Sequence, residues 1–130
     1  GAPVPGQRGA GRRQLFRRIE LGGVLYFVEM KWYRNPVGKP EIAEHLVRLM
    51  SRAEVRGIFI SASDYTEPAI HTVREFLQHK VLVLSTLQEV VRLLEQQDDL
   101  TEFFTKKVQA AQIHKNPYFC PHGSQGQGAS

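Results

Sequence analysis

The stretch Val24-Leu25-Tyr26-Phe27-Val28-Glu29-Met30-Lys31-Trp32 is an apolar run of strand-forming residues that carries a carboxylate and an ammonium two positions apart. Since side chains alternate faces along a strand, Glu29 and Lys31 emerge on the same side, about 6.6 Å apart along the chain. A strand that is apolar on both faces is normally central in a sheet covered on both sides. Unpaired buried charges are costly. Two explanations are therefore open, a mutual ion pair or a site for a metal ion and a phosphate.

The residues on either side of this strand predict an α/β domain. Gly22-Gly23 is a two-residue hairpin signal that joins a strand over 14–21 to the apolar strand. Helical patterns then alternate with short apolar strands as far as residue 113, which gives the order β-β-α-β-α-β-α-α. Strands separated by helices pair in parallel, so we predict a mixed sheet that opens with an antiparallel hairpin.

Composition indicates one globular domain. The chain has 130 residues, which is enough for a sizeable core, and it has no apolar run of the length that a membrane span needs. Its first six residues contain no apolar signal region. Cys120 is the single cysteine, which excludes an internal disulfide and predicts a cytoplasmic location.

The net charge of +4 is concentrated at the start of the chain. The first 18 residues hold five of the 17 basic side chains and none of the 13 acidic ones. Such an arm suits a phosphate backbone, and a solvated, disordered tail is the alternative. We predict a disordered basic arm over 1–11, one domain over 12–113 and a flexible tail over 114–130.

These motifs resemble a known family of nucleases. Glu29-Met30-Lys31 after a tight hairpin matches the E-x-K half of the PD-(D/E)xK nuclease signature. The succession 57–61, 65–69 and 81–84 is similar to the Mrr-like branch of restriction endonucleases, where a glycine-apolar strand leads to an aromatic-Thr-x-x-Ala helix start. The resemblance covers roughly residues 14–96. It implies a restriction endonuclease-like core, here without the family's usual first helix.

The resemblance also implies roles for individual residues. Glu29 would be catalytic and hold Mg²⁺, and Lys31 would be catalytic by positioning or activating the attacking water. Mg²⁺ takes oxygen ligands and polarises a phosphate, and a nearby ammonium stabilises charge on the phosphorus oxygens. The partner is DNA, and the residues expected to bind it are Arg12, Arg13, Arg17, Arg34 and Lys39.

The family's second metal-binding residue, an Asp on the strand before the hairpin, has no counterpart here. Counting back from the Gly-Gly turn places Phe16 opposite Glu29, and residues 10–18 contain no carboxylate. Glu20 lies roughly 13 Å along the strand from that position, too far to share an ion. Either the site is incomplete, or another carboxylate reaches it, with Glu41 as the nearest candidate.

Two functions remain open from the sequence. The first is a DNA-binding domain that hydrolyses phosphodiesters with Mg²⁺ if its site is complete. The second is a catalytically impaired module on the same scaffold, which acts in DNA binding or protein assembly. The last helix, with Phe103, Phe104 and Val108, either closes the core or forms a homodimer surface, because an exposed aromatic pair would need covering.

Overall fold

Eight elements in the order β-β-α-β-α-β-α-α make up residues 13–121, which are those that the computed structural model describes. This is the predicted order. The strands are β1 (Arg13–Leu21), β2 (Val24–Trp32), β3 (Arg56–Ser61) and β4 (Leu82–Thr86). The helices are α1 (Lys39–Met50), α2 (Glu67–Phe76), α3 (Leu87–Glu95) and α4 (Leu100–His114). None of the helices in this range is both long and apolar enough to cross a membrane.

A tight turn at Gly22 and Gly23 joins the first two strands. Both glycines have positive φ, +59° and +84°, which glycine adopts at little cost and which matches the twist of a two-residue hairpin. The turn sets an antiparallel register in which Phe16 lies opposite Glu29. The predicted hairpin and its register are therefore confirmed.

The remaining strands run parallel to β2. The sheet has the order β1-β2-β3-β4, so β2 lies between its hairpin partner and β3. Glu29 lies opposite Phe59 of β3, and Lys31 lies opposite Ser61 at the carboxyl end of that strand. The α/β class with a mixed sheet opening on an antiparallel hairpin is thus as predicted.

Helices cover both faces of the sheet, because alternate residues of the central strands are apolar on both sides. Helices α1 and α2 pack on one face around Phe27 and Phe59. Helices α3 and α4 pack on the other around Tyr26, Val28 and Ile58. Adjacent residues of β2 thus belong to different cores, as the alternation predicts.

The aromatic pair on α4 belongs to the second core. Phe103 and Phe104 are each 3% exposed and Val108 is 4% exposed. They pack with strand residues and with Leu93 of α3. The prediction that these residues form a homodimer surface is therefore wrong, and the alternative, that they close the core, is confirmed.

The start of α2 is fixed by the residues that matched the aromatic-Thr-x-x-Ala pattern. Tyr65 is buried, and its hydroxyl lies 2.7 Å from the carbonyl oxygen of Ser85 and 3.0 Å from that of Phe59. Burial raises the pKa of Tyr65 well above its usual range, so the hydroxyl stays protonated as a donor. The Thr66 hydroxyl accepts from the backbone N–H of Ala69 and caps the helix.

A segment after α4 is tied to the open edge of β4. The backbone N–H of Leu84 donates to the carbonyl oxygen of Pro117 over 2.8 Å. Lys107, completely buried, donates from Nζ to the carbonyl oxygens of Leu84 and Phe119 and lies 3.3 Å from a carboxylate oxygen of Glu89. The structure differs here from the predicted tail over 114–130, because the part of it up to Pro121 contacts the domain and includes the buried Pro117. The Gly/Ser-rich composition of the last residues gave no sign of these contacts.

Candidate active site

Glu29 is buried under α1 with its carboxylate already engaged. Its side chain is 0% exposed. The Oε1 atom accepts from Nδ1 of His45 over 2.8 Å and from Nη1 of Arg48 over 3.1 Å. The Oε2 atom of Glu29 lies 3.4 Å from the same Nη1 of Arg48 and 3.5 Å from Nε2 of Gln14. Charge-assisted bonds to a buried carboxylate are strong, so this arrangement compensates for the burial of the charge.

His45 is held in a pocket that favours its neutral form. The imidazole lies between the rings of Phe27 and Phe59, with centroid separations of 5.6 Å and 5.2 Å. Burial lowers the pKa of His45, against the opposing effect of its hydrogen bond to Glu29. Since the carboxylate must accept, Nδ1 carries the proton, and Nε2 has no hydrogen-bond partner among the described residues.

Gly57 makes room for this imidazole. A Cβ at that position would come within 3.2 Å of Nε2 of His45 and within 2.9 Å of side-chain carbons of Leu49 and Leu82. The glycine of the strand motif is therefore required by close packing against α1.

Lys31 faces the same side of the sheet as Glu29, as predicted. It is 3% exposed, and its Nζ lies 4.0 Å from Oε1 of Glu44 and 5.9 Å from the centroid of the Tyr33 ring. Glu44 also lies 4.0 Å from Nη2 of Arg48. The two charges of β2 therefore pair with groups on α1, and the mutual ion pair considered from the sequence is not formed.

The described residues do not fit Mg²⁺ at Glu29. Phe16 occupies the cross-strand position where the family has an Asp, and Glu20 lies opposite Leu25. Glu41 is engaged elsewhere, because its Oε1 accepts from the backbone N–H of Gly38 and caps α1. Residues 13–121 contain no group of three or more His, Cys, Asp or Glu side chains that could hold a metal ion. The stretches outside that range contain no Asp or Glu in the sequence.

Only three of the five cations predicted to bind DNA have side chains that the structure describes. The side chains of Arg17, Arg34 and Lys39 are exposed, and Nη1 of Arg17 donates to the carbonyl oxygen of Phe16. Arg12 lies outside the described residues, and Arg13 is described by its backbone, which pairs with Trp32. β1 therefore begins beside the carboxyl end of β2, next to the loop that carries Arg34.

Reasoning from the sequence missed His45 and Arg48. Their spacing of three residues puts them on one face of α1, and His45 falls inside the apolar stripe of Ile42, Leu46 and Leu49. A polar residue within an apolar stripe was the available signal. It could not reveal the partner, because that depends on how α1 is placed across the sheet.

Comparison with protein families adds a finding to this geometry. An α/β sheet with an E-x-K pair under the first crossover helix is the arrangement that the resemblance to nucleases implied. The chain matches the family described as Restriction endonuclease over residues 4–94, well over half of its length. The chain therefore belongs to that family, in agreement with the predicted resemblance to its Mrr-like, PD-(D/E)xK branch. Searches of curated proteins and of solved structures gave no significant match.

Proposed function

We propose that this chain acts on DNA as a binding domain built on the restriction endonuclease fold. The observation that carries the proposal is the E-x-K strand, from which Glu29 and Lys31 project together. The first described residue, Arg13, pairs with Trp32 at the carboxyl end of that strand. Ligands of open α/β sheets bind at the carboxyl ends of the parallel strands.

Hydrolysis of phosphodiesters is the activity that family membership suggests. It would use Mg²⁺ at Glu29 with Lys31 beside the phosphate, but one carboxylate holds this ion weakly. The hydrogen bonds of Glu29 to His45 and Arg48 further reduce its availability to an ion. We therefore propose that the chain binds DNA and that its cleavage is slow or absent.

We infer the slow or absent cleavage also from the residue that stands beside Glu29. Phe16 stands opposite Glu29, and its ring lies 5.0 Å from the guanidinium carbon of Arg48. An aromatic ring and a guanidinium thus occupy the space beside Glu29 where a second acidic ligand would be expected. A role in protein assembly would follow if the domain had no affinity for DNA.

The proposal is tested by fluorescence anisotropy with a labelled 20-base-pair duplex at several salt concentrations. We expect binding that weakens with salt. Replacement of Arg12 and Arg13 by Ala should reduce the slope of log affinity against log salt by about 2, because each lost phosphate contact removes about 0.9.

The matched control replaces Arg92 and Lys106 by Ala. These exposed cations lie on α3 and α4, on the other face of the sheet, and Lys106 pairs only with the exposed Glu102 among the described residues. The control should keep the wild-type slope. No binding at low salt, or equal slopes for both double variants, would overturn the proposal.

A further inference from the structure

A small cleft between β1 and α1 combines arginines with an exposed aromatic ring. It encloses about 300 Å³ and is lined by Phe16, Arg17, Arg18, Phe27 and Arg52. We call it the Phe16 cleft. It lies beside the Glu29 carboxylate, since Phe16 is the cross-strand neighbour of that residue and Arg18 is the cross-strand neighbour of Phe27.

The rings form a stack that reaches the surface at Phe16. Phe16 lies over Phe27 with centroids 5.9 Å apart and planes 9° apart, and Phe27 lies over His45 at 5.6 Å and 13°. Phe27 is 3% exposed, whereas Phe16, on the edge strand, is 37% exposed. The ring of Phe16 is therefore partly open to a further planar group, with the guanidinium carbon of Arg48 5.0 Å from its centroid.

Cations surround the exposed ring. Arg17 and Arg18 are exposed, and the guanidinium carbon of Arg52 lies 3.9 Å from the centroid of Phe27. Within residues 13–121, none of these three arginines has a carboxylate partner within 4 Å. Arg17 and Arg52 each donate to a backbone carbonyl oxygen, so no acid neutralises their charge, while Arg48 is engaged by the buried Glu29.

An aromatic platform with unpaired cations around it is the combination that binds an unpaired base and its phosphates. Base–aromatic stacking tolerates any base, and the arginines follow the backbone. Bases in a duplex are already stacked on their neighbours, whereas an unpaired base is free to lie on the exposed ring of Phe16. We propose that the Phe16 cleft binds single-stranded DNA by stacking one unpaired base on Phe16. This inference rests on the proposed function and specifies its ligand.

The test measures affinity for labelled dT15 and for a duplex of the same length, both with the full chain. Phe16→Leu keeps an apolar cover over Phe27 but removes the stacking ring. We expect affinity for dT15 to fall about 5- to 150-fold, the range set by the loss of one base–aromatic stack. Affinity for the duplex should change less than twofold. Phe16→Tyr, which keeps a ring, should retain wild-type affinity for dT15.

Two further measurements separate a binding role from a packing role. A 2-aminopurine placed in dT15 should be quenched by the wild type and by Phe16→Tyr, and not by Phe16→Leu. Arg18→Ala should weaken binding of dT15, whereas Arg92→Ala on the opposite face should not. Equal affinity of wild type and Phe16→Leu for dT15, with duplex binding retained, would overturn this inference alone. Failure to bind either DNA would overturn the proposed function as well.

Discussion

The carboxylate of Glu29 is stabilised by two residues that come from the same helix. His45 and Arg48 both contact Oε1, and the imidazole is neutral because burial lowers its pKa. Glu29 is therefore a structural anchor for α1 as well as a candidate functional group. The side chain of Glu29 is 0% exposed, and the partly exposed Arg48 (33%) is one of its hydrogen-bond donors. A ligand that binds this carboxylate must therefore replace the hydrogen bond from Arg48.

The burial of His45 predicts a pH dependence of stability. Its pKa in the folded chain lies below the ordinary value of 6.5, so the unfolded chain binds the extra proton first as the pH falls. The free energy of unfolding should decrease below about pH 6.5, by at most about 1.4 kcal/mol per pH unit from this residue. The groups that face the imidazole are Glu29, Arg48 and Arg52.

Urea unfolding at pH 5.5 and 7.5 checks this expectation. The comparison variant is His45→Asn, which offers an amide donor near the position of Nδ1 and does not titrate. The loss of stability between the two pH values should be larger in the wild type than in the variant. An equal loss in both proteins would show that His45 does not titrate in this range.

Some residue contacts followed from the sequence and others did not. Alternation along β2 predicted that Glu29 and Lys31 share a face, and the Gly-Gly turn predicted that Phe16 opposes Glu29. Both depend on local geometry with a period of two residues. The partners of the charges were not predictable, because they depend on how α1 lies across the sheet, which no local pattern encodes.

Among the elements, the short segment beside β4 was not predicted from the sequence. Pro117 accepts from Leu84, and Lys107 bridges Leu84 to Phe119. The sequence pattern of the last helix did not predict that Lys107 would be buried and donate hydrogen bonds to these two carbonyl oxygens. Turn and strand signals, in contrast, were strong in the hairpin and in the helical crossovers, so the order of elements was predicted correctly.

The tie at Lys107 predicts a position-specific effect on stability. Lys107→Met keeps most of the side-chain volume but leaves two carbonyl oxygens and Glu89 without their ammonium partner. We expect a loss of about 2–4 kcal/mol in the free energy of unfolding, because the unsatisfied groups are buried. Urea denaturation followed by circular dichroism measures the loss.

Lys106→Met is the matched control for this substitution. The neighbouring lysine is exposed and pairs with Glu102 over 3.5 Å across one helical turn, a contact worth a few tenths of a kcal/mol. A similar effect of both substitutions, or a stabilising effect of Lys107→Met, would mean that the ammonium of Lys107 does not hold the segment.

The molecule as a whole combines a family fold with an altered site. Membership of the restriction endonuclease family rests on the match over residues 4–94. The face that the family would use for a metal ion instead carries Phe16, Arg48 and a fully buried Glu29. The proposed ligand is therefore DNA, and the proposed hydrolysis is slow or absent because one carboxylate holds Mg²⁺ weakly.

Among the described residues, no second carboxylate lies beside Glu29. Phe16→Asp supplies one at the cross-strand position, where Cβ atoms are about 5 Å apart. The most direct test of this account is the initial rate at which supercoiled plasmid is nicked in Mn²⁺ by wild type, Glu29→Ala, Phe16→Asp and the double variant. Wild type and Glu29→Ala should nick at equal background rates. Phe16→Asp should nick at least about tenfold faster, a gain that corresponds to about 1.4 kcal/mol of barrier and that the double variant should lose. Nicking by the wild type that Glu29→Ala abolishes would contradict the account, because the site would then be complete without an acid at position 16.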